Sequence, residues 1–93
     1  MITSFACKET EKIFNGVRSS TFPPEIQRRI SNKLIIMSEA ADVFDLRNPP
    51  GNNLEMLHGN RAGQYSIRIN NQFRICFVWN NGNMDNVEVV DYH

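Results

Sequence analysis

Three arginines and one histidine, Arg61, Arg68, Arg74 and His58, occupy a stretch between Met56 and Met84 that holds no carboxylate, although the whole chain balances ten Lys+Arg against ten Asp+Glu. The stretch reads HGNRAGQYSIRINNQFRICF from residue 58 to 77 and is also the most strand-like part of the chain. Arginine carries a planar, permanently charged fork that matches a phosphate in bidentate fashion, so arginines stripped of neighbouring acids suit a phosphodiester. Breaking a phosphodiester without a metal requires a base for the attacking hydroxyl, positive charge at the phosphorus, and an acid for the departing oxygen. Arg74 can supply the charge but cannot shuttle protons, because its pKa lies above about 12. His58 and the last residue, His93, are the two side chains whose ordinary pKa of about 6.5 suits proton transfer at neutral pH, and Tyr92 would need its value of about 10 lowered to serve as a base.

These residues need a scaffold. The amphipathic run beginning at Pro23-Pro24-Glu25 places Ile26, Ile30, Leu34, Met37 and Ala41 on one stripe, which predicts a helix ending near Ala41. A shorter helix is expected over residues 8–15, stopped by Gly16, and a short strand over residues 1–5. Residues 42–53, with Pro49-Pro50-Gly51, read as a loop. Beyond them the period switches to two: Tyr65, Ile67 and Ile69 alternate with polar residues, as do Phe73, Ile75, Phe77 and Trp79 with Arg74, Cys76 and Val78.

Two registers are available to that hairpin. A two-residue turn would set Ile67 against Arg74, whereas a three-residue loop at Asn70-Asn71-Gln72 aligns Ile69 with Phe73, Ile67 with Ile75 and Tyr65 with Phe77, and is preferred. Arg68 and Arg74 then stand opposite one another on the face away from the core, a like-charge pairing unfavourable by up to about 1 kcal/mol. A further strand is expected over residues 87–92, with Val87 and Val89 inward and Val90 and Tyr92 on the arginine face. The architecture implied is α+β, one domain over residues 1–93, with two N-terminal helices packed on one face of a twisted antiparallel sheet and the arginines open on the other.

Composition narrows the classes. Hydrophobic residues make up 41% and charged residues 22%, ordinary for a globular chain. No apolar run approaches the ~20 residues that span a bilayer, no secretory leader is visible at the start, and Cys7 and Cys76 have neither metal-site nor disulfide-framework spacing, so a cytoplasmic protein without cofactor, metal or membrane partner is expected.

The block G-N-R-x-G-x-x-S-I-R-x-N-x-x-x-R-x-C-F, with the closing Asp91-Tyr92-His93, resembles the HigB group of the RelE-type bacterial toxins, and the similarity extends over nearly the whole chain. The resemblance implies a small endoribonuclease that cuts mRNA in the ribosomal A site. It also implies a HigA-type helix-turn-helix antitoxin that binds the toxin and represses the shared operon, so that DNA is contacted only through the antitoxin. Arg74 and Tyr92 match functional positions of the family, and Asp91 and His93 belong to its terminal motif. His58 falls where relatives have lysine, and Glu55 where some have histidine. The expected site therefore comprises Arg74, Tyr92, His93 and His58 for catalysis, with Arg61, Arg68 and Asp91 toward RNA. Two other readings stay open: a toxin of the same fold that grips a protein such as DNA gyrase, as ParE-like relatives do, and an RNA- or protein-binding module without chemistry.

Overall fold

Pro24 at the first turn, followed by Glu25, starts the longer helix where the sequence predicts it. The computed structural model describes residues 1–91 and contains helices α1 (Lys8–Phe14) and α2 (Pro24–Glu39). Its strands are β1 (Glu55–Met56), β2 (Gln64–Arg68), β3 (Phe73–Asn80) and β4 (Asn83–Asp91). They form an antiparallel sheet in the order β1-β2-β3-β4.

The α2 stripe Ile26, Ile30, Leu34 and Met37 is buried, and it joins Ile67, Ile75, Phe77, Met84 and Val87 from the sheet in one apolar core. Ala41 is exposed, because the backbone has already turned extended at Ala40 and the stripe stops at Met37. Helix α1 buries Thr10 and Ile13, and Gly16 takes the left-handed conformation (φ 81°) after its end.

The three-residue hairpin forms in the expected register, with Tyr65 opposite Phe77, Ile67 opposite Ile75 and Arg68 opposite Arg74. The Ile69 amide donates to the Phe73 carbonyl at 2.9 Å, and the Asn70 side-chain oxygen accepts from the Gln72 and Phe73 amides at 2.9 and 2.7 Å. Such side-chain capping of a turn is what an asparagine at this position provides. Tyr65 and Phe77 stack with centroids 6.1 Å apart.

Strand β4 begins four positions before the expected Val87. The Asn81-Gly82 corner, both residues at positive φ (51° and 89°), makes the tight turn that the twist of a hairpin favours, with Asn80 opposite Asn83. A register shift between Cys76 and Val78, with Asn86 at φ 54°, then inserts an extra residue into β4. That bulge breaks the alternation across residues 83–88, which is why period-two reading starts too late. Val87 and Val89 face the core as predicted, and Val90 pairs with Arg74.

The N-terminal segment contributes isolated parallel bridges, Ile2 to Met84 and Phe5 to Val87, in place of the expected strand. Together with Thr10, whose hydroxyl accepts from the Val89 amide at 3.0 Å, this segment covers the outer edge of β4. Residues 42–53 are less irregular than expected: short 3-10 turns occupy Val43–Arg47 and Pro50–Asn52, and Val43, Leu46 and Asn52 are buried. No helix is long and apolar enough among the described residues to cross a membrane.

Candidate RNA-cleavage site

Ser66, Arg68, Arg74, Cys76 and Val90 share the sheet face turned away from the core, a consequence of side-chain alternation in the observed register. That face is not open in the way the sequence suggests. Arg74 is only 7% exposed. Its Nε donates to Ser66 Oγ at 2.8 Å and its Nη2 to the Asn53 carbonyl at 2.6 Å, so the guanidinium is clamped between β2 and the chain that leads into β1. Asn53 presents that carbonyl from a left-handed conformation (φ 50°, ψ 53°). A guanidinium held in this way is a preorganised donor, able to meet negative charge without reorganising.

Two acids from outside the carboxylate-free stretch fold back onto this face, correcting the expectation of guanidinium groups unneutralised by the protein. Arg61 forms an ion pair with Glu88 at 2.9 Å and also donates to Gln64 at 3.0 Å. Arg74 Nη1 lies 3.9 Å from the Glu55 carboxylate, whose side chain is 46% exposed. Neither acid is adjacent in sequence: Glu55 arrives through pairing with Ser66, and Glu88 through pairing with Cys76. Cys76 sits beneath this group, and burial raises its thiol pKa above the ordinary value; Glu88 adds to the rise while Arg61 and Arg74 oppose it. The thiol is therefore held neutral.

Arg68 stands opposite Arg74, as the hairpin register requires, but its guanidinium turns to the loop, donating from Nε to the Asn70 carbonyl at 3.2 Å and from Nη2 to the Asn71 side chain. His58 is exposed and begins the Gly59–Arg61 turn without a side-chain capping bond. The structure brings Arg61 and Arg74 around Cys76, with Arg68 at the margin. Asp91 does not belong to the arginine face: it pairs with Phe73, one residue out of phase with Val90, and its carboxylate accepts from Gln72 Nε2 at 3.0 Å. Strand alternation puts it on the core-side phase, beyond the core's edge. Tyr92 and His93 lie outside the described residues.

Glu55 joins this group although the basic residues do not point to it; in the sequence it stands out only as a position where some relatives of the resembled family carry histidine. The signal for it is the pairing of β1 with β2, a two-residue match too short to be legible as a strand. Arg29 and Lys33 were passed over. They lie four positions apart on α2 and, with Gly51, Arg68, Ile69, Asn70 and Asn71, line a cleft of about 430 Å³. No three of His, Cys, Asp and Glu gather as a metal-ligand set among the described residues.

Comparison with known proteins gives a consistent answer. The family described as RelE-like toxin of type II toxin-antitoxin system HigB matches residues 3–93. Toxin HigB-1 of Vibrio cholerae is 39% identical over 83 residues, covering 88% of this chain and 87% of that one. Endoribonuclease HigB of Proteus vulgaris is 31% identical over 93 residues and covers both chains completely. Among solved structures, the heterotetrameric YoeB-YefM toxin-antitoxin complex of Staphylococcus aureus contains a chain that superposes with a TM-score of 0.62 at 20% identity, covering 100% of this chain and 95% of that one, and so shares the fold.

Proposed function

Because the chain belongs to the RelE-like HigB toxins of type II toxin-antitoxin systems, we propose that it is a metal-free endoribonuclease that cuts mRNA in the ribosomal A site and so stops translation. The observation that carries this reading is the guanidinium of Arg74, fixed by Ser66 and Asn53 beside the exposed carboxylate of Glu55. A positioned cation and an adjacent proton acceptor are two of the three groups the reaction needs.

In the proposed reaction the ribose 2′-oxygen attacks the adjacent phosphorus while its proton passes to a base. We assign that role to Glu55, whose exposed carboxylate lies 3.9 Å from Arg74 Nη1. The P–O5′ bond breaks, leaving a 2′,3′-cyclic phosphate, and the 5′ oxygen takes a proton from an acid drawn from His58, Tyr92 or His93. Arg74 stabilises the negative charge that builds on the non-bridging oxygens. Tyr92 offers an aromatic face on which a base can stack. Arg61 is held by Glu88, so its contribution is to shape the face and, through that pair, to set the local charge. An acid–base set of this modest strength is sufficient when the ribosome aligns the RNA, since positioning alone lowers barriers by roughly 7 to 11 kcal/mol in favourable cases.

The partners follow from the same reading: the 70S ribosome with its message, and a HigA-type helix-turn-helix antitoxin through which the pair would contact operator DNA, all in the cytoplasm. Primer extension or toe-printing on messages translated in the presence of the toxin tests it. New 5′ ends inside translated codons are expected. Messages that stay whole during growth arrest, with DNA damage in their place, would assign the chain to the gyrase-binding class instead.

A further inference from the structure

The cleft beside Arg68 has a charge pattern that the reaction does not explain. Three cations, Arg29, Lys33 and Arg68, line it together with Gly51, Ile69, Asn70 and Asn71, and no carboxylate is among the lining residues. Each cation is tethered by neutral oxygens. Arg29 Nη1 donates to the Ile69 carbonyl at 3.0 Å, Lys33 Nζ donates to the side-chain oxygen of Asn52, and Arg68 donates to the Asn70 carbonyl and the Asn71 side chain. Asn52 is itself fully buried and anchored, donating from Nδ2 to the Leu46 and Asn48 carbonyls at 3.1 and 3.2 Å. Three tethered cations thus border one shared space.

Such an arrangement is costly without a counter-ion. At Lys33, burial lowers the ammonium pKa and the positive charge of Arg29 lowers it further. An anion in the cleft would offset both effects by direct attraction. Arg68 links the cleft to the Arg74 face, being at once the cross-strand partner of Arg74 and a wall of the cleft. A basic track that runs from one cation group to the next suits a chain of regularly spaced anions better than a single acidic side chain.

We propose that Arg29, Lys33 and Arg68 form a second phosphate site, which grips an RNA backbone phosphate flanking the one held at Arg74. The proposal rests on the reading of the Arg74 face as an RNA site. Its role is positioning: it fixes the register of the strand so that the scissile bond meets the Arg74 guanidinium.

The test is the salt dependence of binding, measured with a short fluorescein-labelled RNA oligonucleotide and separately with 70S ribosomes, for the wild-type chain and the double variant R29Q/K33Q. Loss of one phosphate contact to a single strand lowers the slope of log K against log salt by about 0.7 and weakens binding at low salt several-fold. Arg28 lies on the same helix but outside the cleft, lining a separate groove with Val17 and Ser31, and R28Q is expected to leave the slope unchanged. Thermal unfolding confirms that each variant is folded, and the single variant R29Q, which leaves Lys33 and Asn52 in place, keeps the test open if the double variant is not. A reduced slope on the oligonucleotide assigns the phosphate to the message strand, and a reduced slope confined to ribosomes assigns it to ribosomal RNA. Folded variants with unchanged slopes on both overturn the proposal, as does a loss confined to binding of the antitoxin, which would make the cleft a seat for an acidic protein side chain. Failure of the nuclease reading is seen separately, as absence of message cutting by the wild-type chain, and leaves the slopes interpretable.

Discussion

Arg68 and Arg74 face each other across β2 and β3, yet their guanidinium groups diverge. Arg74 folds inward onto Ser66 and the Asn53 carbonyl, and Arg68 turns outward to Asn70 and Asn71. Divergence is how the hairpin accommodates two like charges in opposed positions, and it divides them between two places: one at the centre of the sheet face, the other at the entrance to the α2 cleft.

Ser66 is the hinge of that arrangement. Replacing it with alanine removes the acceptor for Arg74 Nε in a fully buried position, and an unsatisfied buried donor costs about 1–3 kcal/mol. S66A is therefore expected to lower stability by that amount in chemical denaturation, and to slow message cutting further than the loss of folded protein accounts for, since Arg74 loses its orientation. Unchanged denaturation midpoints would show that the bond to Ser66 contributes nothing to holding the guanidinium.

Cys76 is predicted to be inert while the protein is folded. Burial raises its thiol pKa and the thiolate is the reactive form, so a thiol reagent at mildly alkaline pH should modify Cys7, which is partly exposed, and reach Cys76 after denaturation. The sign of the linked effect is fixed. A thiol whose folded pKa lies above its unfolded value stabilises the fold below the unfolded value, and that contribution is lost as pH rises toward the folded value. C76A should accordingly lose less stability than the wild-type chain as pH rises above the ordinary thiol value. Rapid modification of both thiols in the native state would contradict the account of a closed sheet face.

Lys33 behaves in the opposite sense. Its folded pKa is depressed, so between that lowered value and the ordinary lysine value the unfolded chain binds more protons than the folded one, and stability from this group rises with pH through that window. K33M removes this contribution, so the stability of the wild-type chain measured relative to K33M should rise as pH is raised through that window. RNA bound in the cleft should push the Lys33 value back up, visible as proton uptake on binding at alkaline pH in calorimetry run in buffers of different ionisation enthalpy. Proton release on binding would contradict the placement of a phosphate beside Lys33.

The α2 stripe, the hairpin register and the opposition of Arg68 to Arg74 were legible because each rests on local periodicity over several residues, and period-two and period-3.6 patterns are hard to confuse at that length. The bulge at Asn86 was not, since one inserted residue reads as weak alternation. The partners of the arginines were hidden for a different reason. Glu55 and Glu88 lie outside the acid-free stretch and reach Arg74 and Arg61 through the strand pairings Glu55 with Ser66 and Cys76 with Glu88. A charge count along the chain sees neighbours in sequence, whereas a sheet brings together residues one or two strands away. Arg29 and Lys33 escaped for the same reason, because α2 meets the hairpin loop only in the folded chain. Asp91 stands in the terminal motif, and only the register shows that its phase differs from that of Val90.

The central claim is that Arg74 stabilises charge on the scissile phosphate. The most direct measurement is the single-turnover rate of message cleavage on programmed ribosomes by the wild-type chain and by R74A, each shown by circular dichroism to be folded and by co-purification to bind its antitoxin. Removing one preorganised donor of this kind typically costs about 10²–10³ in rate. A drop of that order, with ribosome binding retained, is the result predicted. A folded R74A that cuts the message at the wild-type rate would contradict the account.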